Sequence, residues 1–224
     1  MFIGHFAPAF IAAAAYSRGP RLATYFVAAQ LVDWAFFTFA LFGIEEMRIT
    51  PGITAMNAMD LYYYPYTHSL LSTGIWAIAF GLVVALWKRD ALGGLVVALV
   101  VVSHWALDWV VHRPDLTIAG GEATYGLGLW NYPFVAIPVE LVLTLGAFAF
   151  YLQRSRGPIG QPLIMMGILL AMQAIDWFGP PPVEAGALFY LQALLAFALA
   201  TVLAGWTARH RNFPRRGGLA ASGL

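Results

Sequence analysis

Three ionisable residues lie four positions apart near the end of a long apolar run: His104, Asp108 and His112. In an α-helix, a step of four residues turns only about 40° past a full turn, so these side chains share one stripe. Imidazole nitrogens and carboxylate oxygens are ligands for zinc, iron or manganese. Because the outer two residues lie about 12 Å apart along the axis, we expect adjacent pairs to bind one ion, with Asp108 able to bridge two.

The composition indicates that this stripe belongs to a membrane protein. Of the 224 residues, 61% are hydrophobic and 10% are charged, whereas a soluble domain has roughly 25% charged residues. The formal net charge is +1, so nothing indicates a nucleic acid partner. The chain has no cysteine, which excludes disulfides, thiolate ligands and cysteine nucleophiles. A metal site would have to use His, Asp, Glu or water.

Six apolar runs reach the length of roughly 20 residues that a membrane-spanning helix needs. We therefore predict an all-α integral membrane helical bundle with six full spans and a short N-terminal membrane segment, Ile3–Tyr16. Residues 1–208 should form a single transmembrane domain, and residues 209–224 a basic, flexible cytoplasmic tail. The six runs are Leu22–Phe42, His68–Trp87, Ala91–Val111, Pro133–Leu152, Pro162–Phe178 and Ala185–Thr207.

The loop charges predict the orientation of the chain in the membrane. Ten of the twelve basic residues fall in alternate loops and in the tail, whereas Arg48 and Arg113 fall in the intervening loops. The positive-inside rule places the ten, and with them the C-terminus, in the cytoplasm. No Lys or Arg precedes Arg18, so the positive region of a cleavable signal peptide is missing. We therefore expect the N-terminus to belong to the mature protein.

The ionisable residues within the predicted spans all lie in the outer half of the membrane. Counting about 1.5 Å per residue puts Asp33 roughly 13 Å, and Glu140 roughly 10 Å, from the outer ends of their helices. A path for ions or protons would place polar residues at several depths on both sides. The restriction of the ionisable residues to the outer half instead favours a polar cavity that opens to the outer face of the membrane. The candidate metal ligands in it are His5, Asp33, His68, His104, Asp108, His112 and Glu140.

Structural explanations compete with this hypothesis. His5 fits an interfacial position at a helix end, His68 lies where a hydroxyl neighbour would cap a helix, and Asp176 fits an interfacial position. Asp33 and Glu140 differ, since a carboxylate about ten residues into a span needs a partner or a proton. The structural alternative for the whole group is a buried His–Asp network that joins helices. Hydroxyl and amide side chains would join the helices at a lower free-energy cost of burial.

Four short motifs carry these residues within positions 1–145. They are Gly4-His5, Leu31-Val32-Asp33-Trp34, Tyr66-Thr67-His68-Ser69 and Ser103-His104-Trp105-Ala106-Leu107-Asp108. In this order they resemble a bacterial family, the predicted membrane-bound metal-dependent hydrolases, which includes LexA-regulated inner-membrane proteins. The order His, Asp, His, His-x3-Asp is also similar to that of zinc-dependent phospholipase C, a soluble helical protein that binds a zinc cluster.

The resemblance implies a location in the bacterial inner membrane and a set of metal ligands. The implied ligands are His5, Asp33, His68, His104 and Asp108. The chain has a single carboxylate at Asp33 where many family members have two close together, and it lacks the late His-x3-Glu motif of the phospholipases. We therefore expect one or two metal ions rather than a full cluster.

These features predict a metal-dependent hydrolase of the inner membrane that acts on a lipid-linked ester or phosphodiester. The cofactor would be a divalent transition metal, with zinc favoured, and Asp33 would be the general base. The expected partners are membrane lipids and a lipid-like substrate. The alternative is a non-catalytic membrane subunit that binds metal, transports ions or organises a complex.

Overall fold

The structure is a computed structural model that describes residues 1–213, and helices dominate it. Five of the helices, α4 to α8, are long and apolar enough to cross a membrane. This confirms the prediction of an all-α membrane helical bundle. The helices are α1 Phe6–Ala15, α2 Leu22–Ala29, α3 Leu31–Leu41, α4 Leu70–Lys88, α5 Ala91–Val111, α6 Pro133–Arg154, α7 Gly160–Phe178 and α8 Ala187–Arg209. Short 3-10 turns at Ile3–His5 and Leu129–Asn131 precede α1 and α6.

The predicted second span is broken into two helices. α2 and α3 meet at Gln30 with a bend of 56°, and only together are they long enough to cross a membrane. The number of spans is therefore five, or six if the bent pair is one span. The predicted run Leu22–Phe42 is thus two helices rather than one, and it contains no Pro or Gly that would have signalled the break. The bend sets the carbonyl group of Ala29 toward α5.

The connection between α3 and α4 contains a two-stranded antiparallel sheet that was not predicted. Strand β1 is Glu46–Ile49 and strand β2 is Met59–Tyr63. Asp60 on β2 is buried and accepts a hydrogen bond from Arg48 on β1 at 2.6 Å. Arg113, in the connection between α5 and α6, also donates to Asp60. The hairpin is thus attached to the loop that follows α5.

The C-terminal half of α4 packs closely against the N-terminal half of α5, far from His104, Asp108 and His112. Gly81 on α4 and Gly94 on α5 face each other across this contact. A Cβ atom added to Gly94 would lie 2.5 Å from the carbonyl oxygen of Gly81. Small residues permit such an approach between membrane helices. The remainder of α5 then extends to the opposite end of the bundle, where it carries His104 and Asp108.

The described chain stays packed beyond the end of α8 at Arg209. Arg211 is buried, and its guanidinium donates to the backbone oxygens of Ser155 at 2.6 Å and Gly157 at 2.9 Å. Asn212 also forms an antiparallel backbone bridge with Arg156. Residues 209–213 are therefore part of the fold, contrary to a flexible tail that begins at 209. The rest of the predicted tail, residues 214–224, lies outside the described residues.

Candidate metal centre

Four segments bring five of the predicted ligands together at one end of the bundle. His5 ends the first 3-10 turn, Asp33 lies in the first turn of α3, His68 precedes α4, and His104 and Asp108 lie on α5. All are buried except Asp33, whose side chain is 20% exposed. They form two overlapping groups, His5–His104–Asp108 and Asp33–His68–His104, and the ligand atoms of each group lie within 4.8 Å of one another. The predicted convergence of these five residues is present in the fold.

Each of the two carboxylates lies close to at least two imidazoles. Asp108 places Oδ1 3.0 Å from Nε2 of His5 and Oδ2 3.0 Å from Nε2 of His104. Asp33 places Oδ1 3.2 Å from Nε2 of His68 and 3.6 Å from Nε2 of His104. His104 is thus common to both groups. Because one ring nitrogen has one lone pair, His104 would serve either a single central ion or one of two neighbouring ions.

The bend at Gln30 determines how the ring of His104 is held. Its Nδ1 lies 2.8 Å from the carbonyl oxygen of Ala29, the residue just before the bend. A carbonyl oxygen only accepts hydrogen bonds, so Nδ1 carries the hydrogen. In the neutral ring, Nε2 then presents a lone pair, and within the described chain this buried atom has no well-formed hydrogen bond. A lone pair on Nε2 would face the two carboxylates of Asp33 and Asp108, and either a proton or a metal ion at Nε2 would satisfy these groups, so the donor set fits a metal ion.

The ring of His68 is held by side chains instead. Its Nδ1 lies 2.9 Å from the hydroxyl oxygen of Thr67, and this hydroxyl lies 2.7 Å from Oε2 of Glu45. Burial raises the pKa of Glu45, whereas hydrogen bonds from Thr67 and from the backbone of Tyr66 oppose that shift. Glu45 was not among the predicted site residues. Its only signal was an acidic residue in a loop between two apolar runs, which is an ordinary place for a solvated carboxylate.

His112 and Glu140 lie at the edge of the centre. Within the described residues, neither belongs to the two groups of ligand atoms. Nε2 of His112 is 3.7 Å from Asp108 Oδ1, and its Nδ1 is 3.1 Å from Oδ1 of the buried Asp115, which the sequence analysis did not identify. Glu140 accepts a hydrogen bond from the backbone N–H of Gly4 at 2.9 Å. It therefore supports the turn that carries His5.

A cavity of about 640 Å³ lies against the centre. Its polar side includes Asp33, Asp108 and Glu140, and Asp176 of α7 lies on the same cavity. Among residues 1–213, no Lys or Arg lines it. A cavity with several carboxylates and, within the described chain, no Lys or Arg is electrostatically suited to a cation. The lining also includes apolar side chains from α3, α7 and α8, among them Phe36, Phe37, Met172, Ile175, Phe189 and Phe197.

The fold and the cluster together define a class: a multi-pass helical membrane protein with a buried His/Asp cluster beside a cavity. No family model matches the chain, and comparisons with curated proteins and with solved structures also find no match. The resemblance to the predicted membrane-bound metal-dependent hydrolases therefore stays a prediction.

Proposed function

We propose that this protein is a metal-dependent hydrolase whose His/Asp cluster holds one or two divalent transition metal ions, with zinc as the first candidate. One observation carries the proposal. The carbonyl group of Ala29 fixes the ring of His104 so that Nε2 faces Asp33 and Asp108, two acceptors, at 3.6 and 3.0 Å. When bound, a divalent metal ion activates water as a nucleophile at neutral pH.

The residues of the cluster have separate roles in this proposal. His5, His68, His104 and Asp108 would hold metal, because they are buried and their Nε2 or carboxylate atoms point at one another. Asp33 would be the general base. It is the most exposed of the five and lines the cavity, so a proton from water could reach its carboxylate.

A lipid-linked ester or phosphodiester is the proposed substrate class. The cavity lining combines the carboxylates and imidazoles of the cluster with apolar side chains of α3, α7 and α8. A substrate with an apolar chain and a polar head would match this mixed lining. Because the cavity has carboxylates and lacks Lys and Arg in the described chain, a phosphodiester anion would depend on the metal charge more than a neutral ester would.

We further propose that the site opens on the outer face of a bacterial inner membrane and that the C-terminus is cytoplasmic. The described Lys and Arg residues support this orientation, because eight of the ten lie at the end of the bundle away from the cluster. The positive-inside rule makes that end cytoplasmic. The eight residues are Arg18, Arg21, Lys88, Arg89, Arg154, Arg156, Arg209 and Arg211.

Elemental analysis of the purified, detergent-solubilised protein beside its Asp108→Ala variant tests the proposal. We expect the wild type to retain at least one transition metal ion per chain and the variant to lose most of it, because Asp108 contacts two imidazoles. A wild type without stoichiometric metal would contradict the proposal. Hydrolysis of a neutral lipid ester and of a lipid phosphodiester by the loaded protein would then separate the two substrates.

One observation favours the non-catalytic alternative. The distances of 3.0 Å from Asp108 to His5 and 3.2 Å from Asp33 to His68 are also those of direct hydrogen bonds. Such a network could join helices without chemistry. Bound metal without turnover of either lipid class, together with a partner that copurifies at a fixed ratio, would support a metal-binding or complex-organising subunit. Ion flux across proteoliposomes would support transport.

A further inference from the structure

A second layer of hydrogen bonds lies behind His68. The Thr67 hydroxyl oxygen is 2.9 Å from His68 Nδ1 and 2.7 Å from Glu45 Oε2. The other carboxylate oxygen of Glu45 accepts from the backbone N–H of Tyr66 at 2.7 Å. Glu45 is 1% exposed and Thr67 is 0% exposed. Water therefore has little access to this chain of bonds, and the protein groups must satisfy one another.

The Thr67 hydroxyl has a single hydrogen, and this decides which group is the donor and which the acceptor in each of these hydrogen bonds. The N–H of Tyr66 donates to one Glu45 oxygen and Thr67 lies at the other, contacts that favour the ionised carboxylate. An ionised carboxylate only accepts hydrogen bonds, so in this state Thr67 donates to Glu45. The Thr67 oxygen is then the acceptor for His68, and Nδ1 of His68 carries the hydrogen. In the neutral ring this leaves a lone pair on Nε2, the atom 3.2 Å from Asp33 Oδ1. This is the tautomer that binds a metal ion through Nε2.

We propose that Glu45 is a positioning residue that acts through Thr67 to select the metal-binding tautomer of His68. The inference rests on the proposed function, because it concerns the same centre. It adds a residue that touches neither the cavity nor the cluster. His104 reaches the same tautomer through a backbone carbonyl, so the two rings are prepared for metal by different means.

The substitution Glu45→Gln should exchange the donor and the acceptor in the hydrogen bonds that join residue 45, Thr67 and His68. The N–H of Tyr66 needs an acceptor, so the amide oxygen of the new residue would stay there and its NH2 group would face Thr67. The NH2 group would donate to the Thr67 oxygen, and the hydroxyl would turn to donate to Nδ1 of His68. The hydrogen of the neutral ring would then lie on Nε2, where it blocks coordination.

A zinc titration of the metal-free protein in detergent tests this role. We expect Glu45→Gln and Thr67→Val to weaken Zn²⁺ binding by about 10–100-fold, the usual effect of losing a residue behind a metal ligand. Thr67→Ser keeps the hydroxyl and should retain the wild-type Kd. Glu46→Gln makes the same change of charge one residue away, at an exposed carboxylate that bonds to Tyr62, and should also retain it.

Two further measurements keep the inference separate from folding and from the proposed function. Thermal unfolding of the metal-free variants shows whether the fold survives, and Thr67→Val serves if Glu45→Gln does not fold. Nitrogen-15 NMR of labelled histidine, at about pH 9 where an ordinary ring is neutral, shows which nitrogen of His68 carries the hydrogen. We expect Nδ1 in the wild type and Nε2 in Glu45→Gln.

Wild-type zinc affinity in both folded variants would overturn the inference and leave the proposed function standing. An Nε2 hydrogen on His68 in the wild type would also overturn it. A wild type that holds no divalent transition metal ion would end the proposed function, and the NMR measurement would still decide whether Glu45 sets the tautomer.

Discussion

The two halves of α5 have different roles: the first packs against α4, and the second contributes to the His/Asp cluster. Its first half packs Gly94 against Gly81 of α4, where a Cβ atom would meet a backbone oxygen at 2.5 Å. Its second half places His104 and Asp108 beside His5, Asp33 and His68, which lie on three other segments. At the packing end, the structure has no room for an added atom. At the site end, the buried imidazoles and carboxylates contact one another, so the loss of one side chain removes a contact from its neighbours.

The substitution His104→Ala should have the largest effect on metal content. It removes the ring nitrogen that both ligand groups share, so we expect bound metal to fall to background. Elemental analysis after gel filtration measures this. Wild-type stoichiometry in the folded variant would mean that the centre of the cluster lies elsewhere.

The substitution Gly94→Ala should disturb the other half of α5. Its Cβ atom would lie 2.5 Å from the Gly81 oxygen and 2.6 Å from the Ala85 Cβ atom, and overpacking of this kind costs about 1–3 kcal/mol of the free energy of unfolding. Unfolding in detergent by denaturant or heat measures the loss. The folded fraction should keep its metal, because the change is distant from the cluster.

A matched control for this substitution is Gly74→Ala on α4. No atom lies within 4 Å of the added Cβ atom there, and alanine favours a helix over glycine. We expect equal or higher stability. Equal destabilisation by both changes would show that the close contact between α4 and α5 is not the cause.

The smallest change is expected for Glu140→Gln. The amide oxygen can still accept from the N–H of Gly4, the contact that Glu140 makes with the turn before α1. Metal content should therefore stay near that of the wild type. A large loss of metal would instead show that the Glu140 carboxylate is a ligand, as the sequence analysis predicted, and would extend the site toward α6.

The sequence was informative where a pattern is repeated along a helix. The run Ala91–Val111 forms one helix with those bounds, because it is uniformly apolar and has the length of a span. Counting residues from the helix ends also predicted that Asp33, His68 and the α5 stripe reach one layer. Distance along a helix follows from its rise, so the approach of these residues could be anticipated without the tertiary structure.

The sequence was silent on the parts that tertiary contacts determine. The break at Gln30 occurs in an apolar run without Pro or Gly, and the Gln30 side chain donates to the backbone oxygen of Phe2 at 3.3 Å. Glu45 and Asp115 lie in loops, which have no periodicity that would indicate a buried partner. The carbonyl group of Ala29 has no signal at all, because every residue has one.

The hydrogen bond from His104 to the backbone carbonyl of Ala29 has a consequence for mutagenesis. Any residue that fits at position 29 supplies the same oxygen, so no exchange of the Ala29 side chain deletes that hydrogen bond by itself. The support of His68 depends on the side chains of Glu45 and Thr67, and one substitution removes it. In a saturation mutagenesis screen for metal binding, position 29 should tolerate small residues, whereas positions 45 and 67 should accept few replacements.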